Sequence, residues 1–299
     1  MRIKKSYLKI SLLILVLLFA IINYVFINPY SRSNTRRRKK IDVSDKSNWA
    51  ADWDNSGQFS QHFLKDPVVN QYEFKFIHAS EKACLNKSVD ILVAMQSSVI
   101  SFDIRRLARR AWSTQQSFRI IYVFFTGKAG DLDGLQNRID YEAKGYGDLV
   151  QADIHDSAQN LSLISMSMLK WVAIYCPNAR FVVKKVEDNW VDFPSIFQAL
   201  RQKEIDYKHF IMGNSALVVQ TPLQHAIHYH YKSIFEYNDS PFTLFAREPV
   251  YGFTARTAMV LFHATLRTKL FWKEDVFITG MAAHRARVAV FFDYSFVYK

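Results

Sequence analysis

The chain has 299 residues and a formal net charge of +12, with 49% hydrophobic and 22% charged residues. This composition is typical of a globular protein and not of a disordered one. The charge is concentrated at the N-terminus: residues 1–40 hold ten Lys or Arg and no acid, which leaves 29 basic and 27 acidic residues elsewhere. Because the remainder is nearly neutral, the net charge gives little support to nucleic-acid binding, and we expect no nucleic-acid partner.

An apolar run of 18 residues, Ile10–Ile27, follows the first basic residues. As a helix it would span roughly 27 Å, close to the thickness of the hydrocarbon core of a bilayer. A cleaved signal peptide is the alternative, but the run is long for one and no small-x-small cleavage site follows. We therefore expect a cytosolic tail at 1–9, a transmembrane signal anchor at 10–28, a polar stem at 29–80 and a luminal domain at 81–299.

Two further features concern the compartment of the domain. Basic residues flank the apolar run on both sides, so the positive-inside rule does not decide the orientation. Three N-glycosylation sequons, at Asn86, Asn160 and Asn238, follow the run and favour a luminal C-terminal domain. The two cysteines, Cys84 and Cys176, could form a disulfide in an oxidising lumen or remain buried thiols, and the sequence leaves both open.

From about Ser88 onward the sequence predicts alternating strands and helices. The predicted strands are Asp90–Met95, Phe118–Thr126, Asp148–Ala152 and Ala179–Val186, and the predicted helices are Ile104–Trp112 and Leu161–Tyr175. This order predicts an α/β fold, with a mostly parallel sheet and helices on both faces. Ligands of such sheets bind beyond the carboxyl ends of the strands. The candidate ligand-binding rim is therefore Gln96–Ser98, Thr126–Gly127, Asp153 and Glu187–Asp188.

Three segments carry a family resemblance. They are FDIRRLARRAW at Phe102–Trp112, the 47-residue stretch Tyr146–Asp192, which runs from YGD through NLS and W to CPNARFVVK and an acidic group, and KEDVFITGM at Lys273–Met281. In order and spacing the chain resembles the β-1,3-galactosyltransferase and fringe family, glycosyltransferase family 31. The resemblance covers roughly residues 90–280 and implies a GT-A type nucleotide-sugar-binding fold.

The resemblance also implies a function and a set of site residues. The protein would be an inverting hexosyltransferase of the Golgi membrane that transfers a sugar from a UDP-sugar to a glycan or glycoprotein acceptor. Asp188 would hold Mn²⁺ with help from Glu187, and Asp275 would be the general base. Arg105 and Arg109, four residues apart on one helical face, would bind the diphosphate, unless they form only a solvated basic face.

The sequence departs from the family pattern at two places. Where the family has three consecutive acids, aligning on Phe181 and Lys184 gives Val186, Glu187 and Asp188, and a shift of one residue gives Glu187, Asp188 and Asn189 instead. Thr254 and Arg256 stand where the family has glycines, and Arg256 would either bind a donor phosphate or fill the pocket. These departures favour an alternative function, a catalytically inactive glycan-binding or partner protein on the same fold.

Overall fold

The computed structural model describes residues 61–111, 118–130, 134–187, 191–219 and 242–297. The expected tail and anchor, and the stem up to residue 60, lie outside these ranges. Within them, no helix combines the length and hydropathy that a membrane crossing requires.

One sheet organises the described part of the chain. Its eight strands are β1 (Phe76–His78), β2 (Val89–Gln96), β3 (Ile120–Lys128), β4 (Leu149–His155), β5 (Ala179–Val186), β6 (Phe210–Val219), β7 (Phe242–Thr254) and β8 (Ala289–Phe292), in the order β1-β4-β3-β2-β5-β7-β6-β8. Strands β4, β3, β2 and β5 are parallel, as predicted, and β8 is parallel to β6. The other pairings, β1 with β4 and β7 with both β5 and β6, are antiparallel, so the sheet is mixed.

The helices cover both faces of the sheet. They are α1 (Phe102–Ala111), α2 (Leu135–Tyr146), α3 (Leu161–Tyr175), α4 (Phe193–Glu204), α5 (Ala255–Arg267) and the single turn α6 (Ala283–Arg285), with a π-helical segment at Val276–Ala282 and 3₁₀ turns at Gln61–Lys65, Ala158–Asn160 and Tyr294–Phe296. The two predicted helices are confirmed as α1 and α3. Helix α3 is apolar around most of its circumference because it lies inside the domain, packed against the sheet and α5.

Alternation along the central strands divides the core between the two faces. Leu92 of β2 and Val182 of β5 lie in a cluster with the side chains of α3 and α5. Their neighbours Ile91 and Val183 lie in a second cluster with Leu200 of α4. All of these side chains are fully buried, and burial of each contributes about 1.5–3 kcal/mol. Because both faces of these strands are covered, the strands are apolar throughout instead of alternating.

The folded domain begins before residue 81, which corrects the predicted boundary of the stem. Phe63 and Phe74 are buried in the core, and Phe74 packs edge-to-face against Phe262 of α5. The Asn70 side-chain amide donates to two backbone carbonyls at the end of α5, each at 2.7 Å. These residues are polar on average, which favours a stem, but the few apolar ones among them complete the core.

The two cysteines form a disulfide between Cys84 and Cys176, with their Cα atoms 5.3 Å apart. The alternative of two free thiols is therefore wrong for this structure. The bond closes a loop across 92 positions of sequence and joins the end of α3 to the segment before β2. It thus ties the segment that leads into β2 to the segment that leads into the neighbouring strand β5.

Candidate active site

The chain reverses its direction of travel across the sheet at β2. It proceeds from β2 to β3 and β4 on one side, and then returns to place β5 on the other side of β2. Gln96 and Val186, at the carboxyl ends of β2 and β5, are register partners. Ligands of open α/β sheets bind in the crevice at such a point, because the connections leave the strand ends in opposite directions.

The loop after β2 binds carboxylates from two other strand ends. The backbone N–H of Ser98 donates to Oε1 of Glu187 at 2.8 Å, just beyond β5. The hydroxyl of Ser98 and the backbone N–H of Val99 donate to Oδ2 of Asp156, just beyond β4, at 3.1 and 2.7 Å. The predicted rim is therefore assembled at one edge, and Glu187 is part of it. Asp188 lies outside the described residues.

Asp156 belongs to this rim although the sequence analysis did not select it. Gly127 allows it to approach β3, since a Cβ at Gly127 would lie 2.5 Å from the Ile154 carbonyl oxygen and 2.7 Å from the Asp156 Cα. The signal was available, because Asp156 follows a predicted strand only three residues after Asp153. Asp153 itself pairs with Lys128 at 2.9 Å on the same edge of the sheet.

Arg105 is fully buried, so the structure gives it a different setting from the predicted diphosphate site. Its five N–H donors all have acceptors within the protein: the carboxylate of Glu142, the hydroxyl of Ser97 and the carbonyls of Ser98 and Val99. No N–H group of Arg105 is left to bind a phosphate. The predicted direct contact with the diphosphate is therefore corrected: Arg105 supports the loop that forms the rim.

Arg109 is also paired within the protein. Its guanidinium bonds to Glu142 at 2.7 Å and to both carboxylate oxygens of Asp148, at 2.6 and 2.8 Å, and it stacks on the ring of Tyr146. Burial opposes the charge on Arg109, but the two carboxylates outweigh it and raise the pKa of Arg109. The two arginines are thus neither a solvated face nor a free pair, since Glu142 of α2 joins them both to the sheet.

Asp275 lies on the adjoining part of the domain, immediately before the π-helical segment. It is 3% exposed, and its two carboxylate oxygens accept backbone N–H groups, Oδ1 from Val276 at 2.9 Å and Oδ2 from Glu248 at 3.2 Å. The Lys273 ammonium lies 3.6 Å from Oδ1. Two N–H donors hold the carboxylate in one orientation, and π-helical turns of this kind occur frequently at functional sites.

A group of polar residues, all buried except the partly exposed Glu248, lies beside Asp275, and we call it the Lys184 cluster. It consists of Lys184, Glu248, Tyr251 and Glu274. The Lys184 ammonium donates to Glu274 at 2.8 Å and to Glu248 at 3.2 Å, and the Tyr251 hydroxyl donates to Glu274 at 2.7 Å. Glu274 adjoins Asp275 in the KEDV segment and Lys184 precedes the acidic motif, but nothing in the sequence indicates that their side chains meet.

Charge in the Lys184 cluster is unequally shared, since it has one ammonium and two carboxylates. Burial disfavours charge on Lys184, but the two carboxylates outweigh it and raise the pKa of Lys184. Burial would raise the pKa of Glu248, yet Lys184 lowers it below its ordinary value. The pKa of Glu274 is raised, first by burial and then by the charge of Glu248. We conclude that Lys184 and Glu248 are the charged pair, and that Glu274 is the carboxyl whose ionisation is opposed.

The remaining predicted residues lie on the surface, in the core or outside the described residues. Arg256 is exposed at the start of α5, 4.0 Å from Glu204, so it fills no pocket. Asn86 is exposed in a turn with a φ of 55°. Asn160 lies just before α3, and its side-chain amide donates to the His155 carbonyl. Asn238 lies outside the described residues. Thr254 is buried and donates to the Lys208 carbonyl at 2.8 Å, so its hydroxyl is satisfied.

The oxygens at the rim are of the kind that Mn²⁺ prefers, since carboxylates bind this hard cation well. In the part of the chain that the structure describes, no group of three or more His, Cys, Asp or Glu could hold a metal. Glu187 is the described carboxylate of the acidic motif, and it already accepts the Ser98 N–H. The rim thus fits the cation in the type of its donors, and a complete site would need Asp188.

Together these features define an α/β domain with carboxylates gathered at the switch point of its sheet. The galactosyltransferase family model matches residues 103–291, and the chain therefore belongs to the galactosyltransferase family. It is 25% identical over 223 residues to β-1,3-galactosyltransferase 2 of Mus musculus, covering 73% of this chain and 53% of the relative. It is 26% identical over 220 residues to β-1,3-galactosyltransferase 1 of Homo sapiens, covering 72% and 66%.

The matched region thus spans between half and two thirds of the length of these relatives. One solved structure, the apo form of the bifunctional glycosyltransferase WbbM, aligns with 69% of this chain and 39% of that chain at 11% identity. Its TM-score of 0.37 is too low to carry an argument. The mixed α/β architecture with its eight-stranded sheet fits the GT-A type.

Proposed function

We propose that the protein is an inverting hexosyltransferase that moves a sugar from a UDP-sugar to a hydroxyl group of a glycan or glycoprotein acceptor. The observation that carries the proposal is the orientation of Asp275. Its carboxylate is held by two backbone N–H groups, beside a charge cluster that reaches strand β5, and Glu187 directly follows the end of β5. An oriented base and an acidic donor rim are the two parts that such a transfer needs.

In the proposed reaction the acceptor oxygen attacks the anomeric carbon as the bond to the UDP oxygen breaks. Asp275 takes the proton of the acceptor hydroxyl, which requires its carboxylate to be ionised. Glu187 and Asp188 would hold Mn²⁺, which when bound would neutralise the charge that develops on the diphosphate. Arg105 would act through the loop Ser97–Val99, keeping the Ser98 N–H directed at Glu187.

A second candidate is a non-catalytic luminal protein on the same fold, which the substitutions at Val186, Thr254 and Arg256 favour. Ligand binding distinguishes the two. UDP with Mn²⁺ should raise the melting temperature of the purified domain, since a ligand at a hundredfold excess over Kd stabilises the folded state by about 2.7 kcal/mol. A screen of UDP-sugars against a glycan acceptor array then tests transfer. No stabilisation and no transfer would favour the second candidate.

We also propose a type II topology in the Golgi membrane, with the domain in the lumen. The sequons at Asn86, Asn160 and Asn238 and the disulfide support an oxidising, glycosylating compartment. After expression in a secretory host, N-glycosidase treatment should increase the mobility of the protein on a gel. Unchanged mobility, together with protease sensitivity of a C-terminal tag in sealed microsomes, would show the opposite orientation.

A further inference from the structure

Lys184 is a charged residue at the centre of the domain. It stands in β5 opposite Tyr251 of β7, on the sheet face that carries α3 and α5, and it has no exposed side-chain surface. Glu274 is 1% exposed, whereas Glu248 is 32% exposed. Burying an ammonium and a carboxylate costs several kcal/mol for each ion before their attraction is counted. A buried ion pair is therefore weak evidence of stability, and its geometry has to be examined for another role.

The two acids that Lys184 binds both adjoin Asp275. Glu274 precedes Asp275 in the chain, while Glu248 reaches it from β7 through its backbone N–H, 3.2 Å from Oδ2 of Asp275. The ammonium of Lys184 thus holds the side chains of both residues that flank the proposed base. Three residues further along the chain, just beyond the end of β5, is Glu187, on the donor rim.

We propose that Lys184 is a positioning residue, which fixes Asp275 relative to the carboxyl end of β5 by binding Glu274 and Glu248. This inference rests on the proposed function, because it makes Asp275 the base. Lys184 acts through its hydrogen bonds to Glu274 and Glu248 and not as the base itself. It sets the distance between the strand that leads to the donor and the carboxylate that receives the acceptor proton.

The other contacts of this region link the π-helical segment to β7, which pairs with β5 through the backbone, and Lys184 adds a direct side-chain link from β5. Thr279 joins the π-helical segment to β7 through the backbone N–H and carbonyl of Ala246, each at 2.9 Å. Tyr251 donates to Glu274 from β7 as well. Among the described residues, Lys184 is the side chain of β5 for which hydrogen bonds to Glu274 and Glu248 are observed.

The test uses Lys184→Met, the double variant Lys184→Met/Glu274→Gln, and Lys170→Met as a matched control on α3. The single variant leaves the carboxyl groups of Glu274 and Glu248 without their shared cation and will unfold at a lower temperature. The double variant also replaces the fully buried carboxyl by a neutral amide, whose oxygen can still accept from the Tyr251 hydroxyl, while the partly exposed Glu248 keeps access to solvent. It therefore separates positioning from folding, and it is the variant on which the conclusion depends.

Two readouts follow. Amide exchange of Glu248, measured by NMR, reports the hydrogen bond from its N–H to Asp275 without any need for activity. We expect exchange to accelerate roughly tenfold or more in the double variant and to remain parental in Lys170→Met. With an active donor and acceptor pair, we expect kcat to fall roughly a hundredfold, as a displacement of about 1 Å can produce, while UDP affinity stays parental.

The outcomes separate the two proposals. Parental amide exchange of Glu248 in a folded double variant would overturn the positioning role, whatever the activity. Parental kcat in that variant would also overturn it. A parent protein that transfers no sugar from any donor would instead refute the proposed function, and the exchange measurement would still decide whether Lys184 holds Glu248 against Asp275.

Discussion

The backbone N–H of Ser98 donates to the carboxylate of Glu187 across the switch point of the sheet, at 2.8 Å. Ser98 lies after β2 and Glu187 after β5. This bond therefore joins the two strand ends at the edge of the sheet where a ligand would bind. The carbonyl of the same Ser98 accepts a 2.6 Å bond from Arg105. Arg105, which the sequence suggests as a ligand-binding residue, therefore supports the loop of the site through a hydrogen bond and does not bind the ligand itself.

The contact between Ser98 and Glu187 gives the acidic motif two distinguishable members. Glu187→Gln keeps an oxygen that can accept from Ser98, so we expect UDP binding with Mn²⁺ to weaken only modestly. Asp188→Ala removes the anion that would coordinate the cation, and metal-dependent UDP binding should be abolished. Isothermal titration with and without Mn²⁺ measures both, and small, equal effects would show that neither residue coordinates the metal.

Glu142 makes the stability of the domain depend on pH in the acidic range. Burial would raise its pKa, but Arg105 and Arg109 outweigh burial and lower the pKa below its ordinary value of 4.5. A carboxyl with a lowered folded-state pKa stabilises the protein above its unfolded-state pKa, and this contribution is lost as the pH falls through the folded-state value. We expect the melting temperature to fall below about pH 4.5 more steeply in the parent than in Glu142→Gln.

The exposed Asp206→Asn variant is the control for this measurement, because Asp206 lies on the surface after α4. It should reproduce the parental dependence of melting temperature on pH. If the melting temperature of Glu142→Gln follows the parental pH dependence as well, the network of Glu142 with the two arginines contributes nothing to the loss of stability at low pH.

The disulfide should be a large part of the stability of the domain. It closes a loop across 92 positions of sequence, and removal of a disulfide typically costs about 2–5 kcal/mol. We expect the double variant Cys84→Ser/Cys176→Ser to unfold at a lower urea concentration than the parent. Replacing both residues avoids a free thiol. A parental midpoint in the variant, or a parent that is insensitive to reductant, would contradict the expectation.

Most of the central sheet could be predicted from the sequence. The predicted strand Ala179–Val186 and helix Leu161–Tyr175 agree with β5 and α3, because long apolar runs leave few alternatives for burial. The strand ends then place Ser98 and Glu187 together by topology alone. Helix α2 was missed, and with it Glu142, since this helix has a short apolar face among many polar residues.

The partners of buried charges could not be predicted, because nothing local specifies them. Lys184 looks like an exposed residue of a strand, yet its partners stand 64 and 90 positions away. Arg105 looks like a binding residue, yet its carboxylate partner is 37 positions away. In both cases the sequence shows a charge that needs a partner, and only the fold shows whether a ligand or a neighbouring side chain provides it.

The central claim is that Asp275 is the base of a sugar transfer, and Asp275→Asn tests it most directly. The amide keeps the shape of the side chain but cannot take the acceptor proton, and loss of a general base typically costs roughly 10²–10⁴-fold in rate, or about 3–5 kcal/mol of barrier. The measurement is the transfer rate beside the affinity for UDP-sugar, for the parent and Asp275→Asn. We predict that transfer collapses while donor affinity stays near the parental value; near-parental turnover in Asp275→Asn would contradict the account.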